Sequence, residues 1–516
     1  MNKQMSKVFK AYLIFISPFL LKYIFISTYF SFDLGEILED IIFCFIVAFA
    51  FKLKIFINIF FKYMLLFLYL LYFFIEGASY MAVNSNFTAS FMYLLIESSS
   101  GELKEFVQSY SSIFVIVYFA LLTLTFFVII RFNFNRKYRI NSLLGITVIL
   151  LLVVLLKTTG LIEKNAYHNI VRGVYGYIEL QNNFSLETNV KEEDVVVNSN
   201  NDILVVVLGE STTRRHMQLY GYSRETTPLL NAIKDSLFVY KNVISTDVFT
   251  LKSVPKMLTS LNESIKHDER LNIIDIFNKA GYLTYWLSNQ LPISYHDNAI
   301  SKIASKSYYL KFFIHANEVE TLSYDEVLLP EFDKVLKQNG KKVIFIRLLG
   351  THFDYKNRYP FDFNKFSKIG GSFKTEIKNQ YDNAVFYNDF IVYSIIKKLK
   401  GIKGNNALLY TSDHGENVFD DGDFFGRNEA NLTKSMFEIP FFIWTSDSFE
   451  LPKDFQFDSN RKFMTDHTYE SLGHLLGVKH KDMDFNKSIF SKSFKERERN
   501  VVNGVNFDTH FFKSNE

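Results

Sequence analysis

Cysteine is almost absent from this chain of 516 residues, since Cys44 is the only one. Cys44 lies in an apolar run near the amino terminus, so the second half of the chain cannot hold a disulfide. Strong charge is lacking as well, because the formal net charge is only +3. The second half has no basic patch with interleaved aromatic residues, which argues against a nucleic acid partner. Internal repeats and low-complexity tracts are also missing, and this argues against a disordered chain.

Apolar residues are concentrated before residue 160, whereas charged residues collect after residue 185. Five apolar runs alternate with short polar joints, and most approach the ~20 residues that a helix needs to cross a bilayer. The second run is short, so a helical hairpin or an interfacial segment is the alternative there. We predict an α-helical transmembrane domain of about five spans over residues 1–160. The runs lie near 11–32, 40–51, 55–75, 113–130 and 143–159.

The placement of Lys and Arg predicts the orientation of these spans. Basic residues precede the first run and separate the second from the third and the fourth from the fifth, whereas the joint after the first run is acidic. The first run is long and has no small-residue cleavage site after it, which is typical of a retained anchor. An odd number of spans then exports everything after residue 160.

The exported half alternates β-rich apolar runs with amphipathic segments. Residues 184–202 are typical of a linker, so we predict a bridging helix or linker over 161–200 and a second domain over 201–516. Helices are predicted at 271–280 and 374–400. This alternation favours an α/β domain with a mainly parallel sheet covered on both faces. The predicted strands are ILVVVLG, LFVYKNVIS, YLTYWLSNQ, KKVIFIRLLGTH, ALLYTSDHGE and IPFFIW.

Polar side chains follow four of these strands. They are Glu210, Asn289 with Gln290, His352, and Asp413 with His414. Ligands bind at the carboxyl ends of the strands in such sheets, so we predict one shared site. Asp413 and His414 offer a carboxylate oxygen and an imidazole nitrogen, which suit zinc. Taken singly, Asp413 and His414 would be an Asx turn with a surface histidine, and Glu210 would be the partner of a helix amino terminus.

Thr250 lies just upstream of a predicted helix in which Ser253 is the N-cap and Pro255 stands in the first turn. A hydroxyl there can sit beside a bound phosphate, because free backbone N–H groups and the helix dipole favour anions. If zinc also binds its oxygen, the hydroxyl loses its proton more easily and becomes a nucleophile. Without the other motifs, Thr250 would be an ordinary capping residue.

Together these motifs resemble the phosphoethanolamine transferases of the bacterial cell envelope, members of the alkaline phosphatase and sulfatase superfamily. The resemblance covers most of the chain. It implies a sulfatase-like or alkaline-phosphatase-like domain in the periplasm, anchored in the bacterial inner membrane by several helices. The matching stretches are LGES with YGYSRETTPLL, TLKSVP, WLSNQ, GTH, YDNAVFYND, SDHGE and DHTYESLGHLLG.

The resemblance also implies a zinc site in which Thr250 becomes covalently modified. The implied ligands are Glu210, Thr250, Asp413 and His414. His352 and His467 match family histidines beside the transferred phosphate, where two imidazoles can donate hydrogen bonds, protonate a leaving group or hold a second zinc. Taken alone, His467 would be a surface histidine at a helix start.

Two weaker positions complete the implied site. Asn289 in WLSNQ is a candidate substrate contact, with loop capping as the alternative. The stretch ESSSGELKEF resembles the Glu-Thr-Asn-x-x-Glu stretch of the family with serines substituted, and Glu102 matches its second acidic position. By this resemblance Glu102 helps to hold the donor lipid and pairs with the ammonium of ethanolamine. A solvated interfacial carboxylate is the alternative.

The implied reaction is a ping-pong transfer of phosphoethanolamine. Thr250 attacks the phosphorus of phosphatidylethanolamine, diacylglycerol departs, and an acceptor oxygen then takes the group. The implied acceptors are lipid A, the lipopolysaccharide core or another envelope component. The chain departs from many relatives in having Lys256 where they carry a cysteine, and in reading GTHFDY around His352.

Other functions fit parts of the sequence. A membrane-anchored phosphodiesterase or sulfatase would use a similar site, although SVPKM lacks the Arg of the sulfatase motif. A lipoteichoic acid synthase would combine five spans with a Thr nucleophile and a glycerol phosphate donor. A transporter or a non-catalytic envelope scaffold is a further alternative. Transport would predict charges within the spans; Lys22 and Lys62 are the clearest of these, and their positions allow either snorkelling or pairing between helices.

Overall fold

The computed structural model describes residues 3–27, 33–53, 59–83, 85–98, 100–131, 141–182, 184–186, 190–261, 270–290, 299–314, 323–367 and 371–511. The chain forms two compact units. The first, here called the helical unit, comprises residues 1–98, 102–178 and 428–431. The second, here called the sheet unit, comprises residues 99–101, 179–427 and 432–516.

The amino-terminal part of the chain is helical. Two segments, Phe60–Ala82 and Ile113–Ile130, are long and apolar enough to cross a membrane, and Phe15–Ile26 and Ser142–Thr158 are shorter apolar helices. All five predicted runs contain helix, but within the described residues only those two segments meet both criteria, so five spans stay a prediction. The helices are α1 (Lys3–Ile26), α2 (Leu34–Lys52), α3 (Ile59–Val83), α4 (Ala89–Glu97), α5 (Ser100–Tyr110), α6 (Ile113–Arg131), α7 (Ser142–Thr158) and α8 (Ala166–Asn182).

A group of ionisable side chains is buried between α1, α2 and α3 of the helical unit. The ammonium of Lys22 is fully buried and lies 2.8 Å from Glu36 Oε1 and 2.7 Å from Asp40 Oδ2. Glu76 Oε2 lies 3.9 Å from the same nitrogen. The hydroxyl of Tyr72 donates to Asp40 Oδ1 at 2.9 Å. Lys22 is therefore paired between helices, which was one of the two arrangements expected for a lysine within an apolar run.

The sheet unit is built around a seven-stranded sheet with the strand order β3-β11-β8-β2-β7-β5-β6. All six predicted strands belong to it. Its members are β2 (Ile203–Gly209), β3 (Leu237–Tyr240), β5 (Leu283–Ser288), β6 (Tyr309–Phe312), β7 (Lys342–Arg347), β8 (Asn406–Ser412) and β11 (Phe441–Thr445). The short strands are β1 (Val195–Val197), β4 (Val243–Ile244), β9 (Asn417–Val418), β10 (Phe425–Gly426), β12 (Phe463–Met464), β13 (Val478–His480), β14 (Asn500–Val501) and β15 (Val505–Asn506).

The sheet is mixed, which corrects the prediction of a mainly parallel sheet. β8, β2, β7, β5 and β6 pair in parallel, but β11 runs antiparallel to both β8 and β3. A parallel connection needs a long crossover, usually a helix, to return the chain to the starting edge. The chain between β8 and β11 contains short strands and a 3₁₀ turn but no α-helix. The chain therefore enters β11 at the end of the sheet where β8 finishes, and β11 runs in the opposite direction.

The central strands are buried along their full length. All seven residues of β2 and all seven of β8 are buried, as expected for strands with both faces covered. The predicted helices at 271–280 and 374–400 are present as α11 and α14. The helices of this unit are α9 (Pro228–Ala232), α10 (Thr250–Leu258), α11 (Ile273–Lys279), α12 (Ala299–Ala304), α13 (Leu328–Leu336), α14 (Phe373–Lys400), α15 (Thr468–Leu476) and α16 (Phe507–His510).

The stretch predicted as a linker is partly structured. β1 lies within 184–202 and pairs antiparallel with β13, so this segment is attached to the sheet unit. Val195 is opposite His480, and Val197 is opposite Val478. The boundaries proposed at residues 160 and 200 stay a prediction.

Candidate active site

Glu210 and Asp413 stand side by side because the strands before them are paired. Gly209 at the end of β2 is in register with Ser412 at the end of β8, so the next residues leave the sheet together. Ser211 has a φ of 57°, a left-handed conformation that is uncommon for a residue other than glycine. Its N–H donates to Asp413 Oδ1 at 3.2 Å. This sharp turn ties the two strand ends together directly above the sheet edge.

Thr250 brings a hydroxyl to the same place. Its Oγ1 lies 3.1 Å from Glu210 Oε2 and 3.2 Å from His414 Nε2. Thr250 is the first residue of α10, and Phe249 before it is extended. The hydroxyl therefore lies in the turn whose backbone N–H groups have no partner within the helix.

The prediction that Ser253 caps this helix is wrong. α10 begins three residues earlier, and both Ser253 and Pro255 lie inside it. The hydroxyl of Ser253 is buried and donates to the carbonyl oxygen of Asp413 at 2.5 Å. The sequence pattern of Ser followed by Pro fits a helix start, but a tertiary contact decides the role of this serine. Ser253 thereby links α10 to the strand end that carries Asp413.

Glu210, Asp413 and His414 form a donor set that fits a metal ion. One ligand atom from each lies within 4.8 Å of the others, and all three side chains are buried. Asp413 Oδ2 is buried and has no hydrogen-bond partner among the described residues. Two carboxylates and one imidazole are typical zinc ligands in sites that keep a position open for reaction. The residues present therefore fit the zinc ion that the sequence predicts.

The orientation of the His414 ring agrees with that role. Its Nδ1 lies 3.0 Å from the carbonyl oxygen of Gly415, so a neutral ring with its proton on Nδ1 donates there and leaves the Nε2 lone pair for a metal ion. Nε2 lies 3.3 Å from Glu210 Oε1 and 3.4 Å from Asp413 Oδ2. The guanidinium of Arg427 also contacts Nε2. A metal ion bound to Nε2 would replace that contact.

The pKa values of the two carboxylates are shifted in opposite directions. Burial would raise the pKa of Glu210, but without a metal ion the hydrogen bond and charge of a protonated His414, with the charges of His352 and Arg427, hold that pKa well below its usual value. Burial raises the pKa of Asp413 to about 6, and the charge of Glu210 adds to the shift. A bound cation would lower the pKa of Asp413 again, because it favours the ionised form.

Gln290 and Arg427 reach this cluster although the sequence interpretation assigned them no role. Gln290 Nε2 donates to Glu210 Oε2 at 3.1 Å and to the carbonyl oxygen of Leu348 at 2.7 Å. Arg427 Nη1 lies 3.9 Å from Glu210 Oε1, and its Nε lies 3.1 Å from Glu416 Oε2. The sequence predicted that Gln290 lies at the end of a strand, but it did not indicate a contact with Glu210. Arg427 follows the two-residue strand β10 and stands in no recognised motif, so no sequence signal points to it.

Asn289 does not face the cluster. Its Nδ2 donates to Asp325 Oδ1 at 2.9 Å, and its Oδ1 accepts from the hydroxyl of Ser323 at 2.7 Å. Asp325 in turn accepts from the N–H groups of Leu349 and Gly350, at 2.8 and 2.9 Å. These contacts make Asn289 a support of the loop that precedes His352. A direct contact between Asn289 and a substrate stays a prediction.

His352 lies next to the cluster because the loop before it passes close to Glu210. Gly350 has a φ of 55°, and a Cβ there would lie 3.1 Å from the backbone nitrogen and oxygen of Glu210. Glycine is therefore required both for the turn and for the close approach. The charge of His352 contributes to the low pKa of Glu210, which places its imidazole within electrostatic reach of the cluster.

His467 and Glu102 are the remaining predicted positions. His467 precedes α15 in a 3₁₀ turn that packs against α10, and it is 7% exposed. Burial lowers its pKa to about 3, aided by the charges of Arg497 and Lys487. Among the described residues, no hydrogen bond joins its ring to the Thr250 cluster. Glu102 lies on α5, and its side chain is outside the described part of the chain.

Known proteins share this arrangement of sequence and fold. A model of the sulfatase family matches residues 202–477, which include all of the strand ends described above. Phosphoethanolamine transferase EptC of Escherichia coli (strain K12) is 36% identical over 323 residues, covering 58% of this chain and 55% of the relative. Phosphoethanolamine transferase CptA of Salmonella typhimurium is 33% identical over 318 residues, with the same coverage. The chain thus spans about half the length of the curated relatives it matches.

Solved structures agree with the sequence matches. The periplasmic domain of the Escherichia coli EptC, in complex with zinc, covers 63% of this chain and 97% of its own, with 33% identity and a TM-score of 0.58. The match to the integral membrane protein lipooligosaccharide phosphoethanolamine transferase A from Neisseria meningitidis covers 93% of this chain and 97% of that protein. The identity is 22% and the TM-score is 0.69. This second likeness extends the shared fold to the helical part of the chain. The resemblance predicted from the motifs is confirmed: the chain belongs to the sulfatase family, and its relatives there include phosphoethanolamine transferases.

Proposed function

We propose that this protein is a membrane-anchored transferase that moves phosphoethanolamine from phosphatidylethanolamine to an acceptor in the bacterial envelope. The observation that carries the proposal is the meeting of the Thr250 hydroxyl with two carboxylates and an imidazole at one sheet edge. The curated relatives named phosphoethanolamine transferases support the choice of the transferred group. The acceptor class is lipid A, the lipopolysaccharide core or another envelope component.

In this proposal Glu210, Asp413 and His414 hold a zinc ion, and the Thr250 hydroxyl faces the same point. When bound, zinc supplies positive charge that makes a hydroxyl more acidic and neutralises phosphoryl oxygens. A relative solved with zinc supports the choice of metal. A second zinc ion stays a prediction.

Thr250 is the nucleophile of the first half-reaction. Its oxygen attacks phosphorus, the bond from phosphorus to the glycerol oxygen breaks, and diacylglycerol leaves with a proton. The hydroxyl proton of Thr250 has an acceptor within hydrogen-bond distance, because the two oxygens of the Glu210 carboxylate lie 3.1 and 3.3 Å from Oγ1. In the second half-reaction an acceptor oxygen attacks the same phosphorus, and Thr250 recovers its proton as the bond to phosphorus breaks.

His352, Gln290 and Arg427 assist this chemistry. Gln290 fixes the Glu210 carboxylate through the 3.1 Å hydrogen bond. Arg427 brings a permanent positive charge to the rim of the cluster, where it can face a phosphoryl oxygen. His352 lies in the loop beside Glu210, and its imidazole is the candidate proton donor to the leaving oxygen.

The helical unit serves as the membrane anchor in this proposal, with the sheet unit in the periplasm. α6 and α7 carry many exposed apolar side chains, such as Leu143 at 75% and Leu151 at 64%. Large contiguous apolar surfaces in water are rare, so contact with lipid explains this exposure. Anchoring also keeps the reactive hydroxyl close to a lipid donor.

The test is the intact mass of the purified full chain after incubation with zinc and phosphatidylethanolamine. We expect a phosphoethanolamine adduct on Thr250, found by peptide mapping, together with release of diacylglycerol. Thr250→Ala should give no adduct, and Thr250→Ser should give a weaker one because the hydroxyl is kept. Thr375→Ala, at a half-buried threonine in the first turn of α14, is the matched control and should react as wild type.

The same experiment separates the competing functions. Rapid release of free phosphoethanolamine without a stable adduct would indicate a phosphodiesterase. If zinc-loaded protein gives no adduct and releases no phosphoethanolamine, the transferase proposal is contradicted. The choice of donor would then be open again and would include glycerol phosphate lipids.

A further inference from the structure

A cavity of about 410 Å³ lies in the sheet unit, away from the Thr250 cluster. It opens between the chain that follows β3, the chain that precedes β11 and the carboxyl-terminal segment. Five cationic residues line it: Arg214, Lys241, Lys434, Lys462 and Arg499. Two carboxylates, Glu438 and Asp508, also line it. The formal charge of the wall is therefore +3, from five positive and two negative side chains.

The two arginines of this wall are held in place by the protein. Arg214 donates to Glu438 Oε1 at 2.8 Å and to the carbonyl oxygen of Val243 at 2.6 Å. Arg499 donates to both carboxylate oxygens of Asp508, at 3.0 and 2.5 Å. Each guanidinium is thus paired with a carboxylate and cannot move far. The two arginines shape the wall, and the lysines provide its net charge.

Lys241 and Lys462 are the cations that remain available. Both side chains are exposed, and within the described part of the chain neither forms an ion pair or a side-chain hydrogen bond. Burial would raise the pKa of Asp508, but Arg499, Lys462 and Lys434 hold it below the usual value. The positive potential of the lysines therefore extends into the cavity. An anion with more than one charge would match it better than chloride or a single carboxylate.

The cavity opens at the same edge of the sheet as the Thr250 cluster. Tyr240 at the end of β3 is in register with Phe441, and Phe441 is in register with Thr411 of β8, so Lys241 lies at the carboxyl ends of the parallel strands. Three strand intervals of about 4.8 Å separate β3 from β2, or roughly 14 Å across the sheet. Arg214 is four residues after Glu210, and Lys241 is nine residues before Thr250. Two short loops therefore join the cavity to the reactive cluster.

We propose that this cavity binds a phosphate group of the acceptor, so that a neighbouring acceptor oxygen reaches Thr250. The inference rests on the proposed transferase function and assigns the acceptor a phosphate group that is held apart from the oxygen to be modified. Asn242 supports this wall, because its Oδ1 accepts from Arg499 Nη1 at 2.9 Å and its Nδ2 donates to the carbonyl oxygen of Asn460 at 3.2 Å.

The test compares two pairs of exposed lysines in the full chain. Lys241→Gln with Lys462→Gln removes the available charges of the cavity. Lys337→Gln with Lys403→Gln removes the same charge at the opposite sheet edge, where β7 and β8 begin, and is the matched control. Binding of glucose 1-phosphate is followed by phosphorus NMR line broadening, with Glu210→Gln in every protein so that the catalytic cluster contributes little.

We expect the cavity pair to weaken binding of glucose 1-phosphate roughly tenfold, through loss of two charge-assisted contacts, while the control pair changes it little. In proteins with Glu210 intact, the cavity pair should leave formation of the Thr250 adduct unchanged and slow its discharge to a phosphorylated saccharide. Equal binding in the two pairs would overturn the proposal. Binding of phosphatidylglycerol vesicles that depends on Lys241 and Lys462, without an effect on glucose 1-phosphate, would also overturn it in favour of a lipid headgroup.

The two proposals fail in different ways. If wild-type protein forms no adduct on Thr250, the transferase proposal fails, and the NMR titration still decides whether the cavity binds phosphate. If the adduct forms and both lysine pairs bind and discharge alike, only the cavity proposal fails.

Discussion

The helical unit and the sheet unit each bury a group of carboxyl side chains, and the two groups find their positive charge differently. In the helical unit the ammonium of Lys22 lies among Glu36, Asp40 and Glu76 and is itself fully buried. In the sheet unit Glu210 and Asp413 meet an imidazole whose lone pair faces them, and Asp413 Oδ2 has no hydrogen-bond partner among the described residues. The group in the helical unit contains its own cation, the Lys22 ammonium. The group in the sheet unit instead offers ligand atoms for a metal ion that would bind from outside.

A third group inside the sheet unit sharpens this contrast. His216 lies between two carboxylates, with Nδ1 2.6 Å from Asp382 Oδ1 and Nε2 3.2 Å from both oxygens of Asp420. Burial would lower the pKa of His216, but these two hydrogen bonds raise it to about 9. His216 is thus an internal cation at neutral pH. His414 differs because a backbone carbonyl, and not a carboxylate, binds its Nδ1.

The largest expected effect comes from removing the internal cation of the helical unit. Lys22→Met leaves the surrounding carboxyl groups buried without their partner, and breaking a buried pair in this way costs about 3–5 kcal/mol. The free energy of unfolding of the full chain in detergent, followed by circular dichroism, measures this loss. Lys62→Met is the matched control, because Lys62 on α3 has no ion pair among the described residues. A loss no larger than that of the control would contradict the internal pairing.

The second prediction concerns the charge of His216, which is tested by the pH dependence of the free energy of unfolding. Because its folded pKa is raised from 6.5 to about 9, its contribution is fully present below about pH 6.5 and is lost as the pH rises to 9. The full contribution is about 3 kcal/mol by the linkage relation. His216→Gln should therefore destabilise the protein at pH 6 and have a smaller effect at pH 9.

The measurement is unfolding monitored by tryptophan fluorescence, because both tryptophans, Trp286 and Trp444, lie in the sheet unit. Other charged groups near His216 also titrate or pair, notably Arg224, which donates to Asp382 Oδ2 at 2.7 Å. Tyr222 and Tyr381 pack against the ring. The difference between wild type and His216→Gln cancels their common contribution. A difference that is independent of pH from 6 to 9 would mean that folding does not raise the pKa of His216.

A third prediction concerns the external cation. With free zinc at about a hundred times its dissociation constant, binding should stabilise the wild-type sheet unit by about 2.7 kcal/mol. Glu210→Gln should lose most of this gain and bind less than one zinc per chain, as measured by elemental analysis. Glu416→Gln is the control, since Glu416 contacts Arg427 and Tyr355 and lies outside the proposed ligand set. Equal zinc contents in wild type and Glu210→Gln would refute the assignment of Glu210 as a ligand.

The smallest effect comes from Ser253→Ala. This change removes the hydrogen bond from Ser253 to the carbonyl of Asp413 and should destabilise the protein by about 1 kcal/mol. Zinc content should stay near that of wild type, because the Asp413 side chain is unchanged. A large loss of zinc would indicate that the position of the strand end depends on this one contact. Urea unfolding and elemental analysis measure the two quantities.

The strand ends were predictable because their signal is local. A Val-rich run followed by Glu210, and a second run followed by Asp413 and His414, predict side chains at one sheet edge once the strands are taken as parallel. The start of α10 was placed too late, since a Ser and a nearby Pro imitate a helix start. Arg427 could not be predicted, because it reaches the cluster only through a tertiary turn around β9 and β10.

The direction of β11 was equally beyond a single sequence. The run IPFFIW predicts a strand, and this is confirmed, but its composition does not encode which way it runs. Direction follows from the connection, and the segment 413–440 has no crossover helix. The same reasoning applies to Lys22, since an apolar run with one lysine does not reveal which carboxylates from other helices surround it.

The reversed strand β11 has a consequence for how such a protein can diversify. The segment between β8 and β11 leaves and rejoins the sheet at the same rim, so it can be lengthened or shortened without rethreading any strand. This segment carries Asp413 and His414 at its start and Arg427 farther along. Its first residues are fixed by the strand before them, and the rest tolerates insertion. One loop can therefore keep the reactive groups constant while the surroundings that meet an acceptor change.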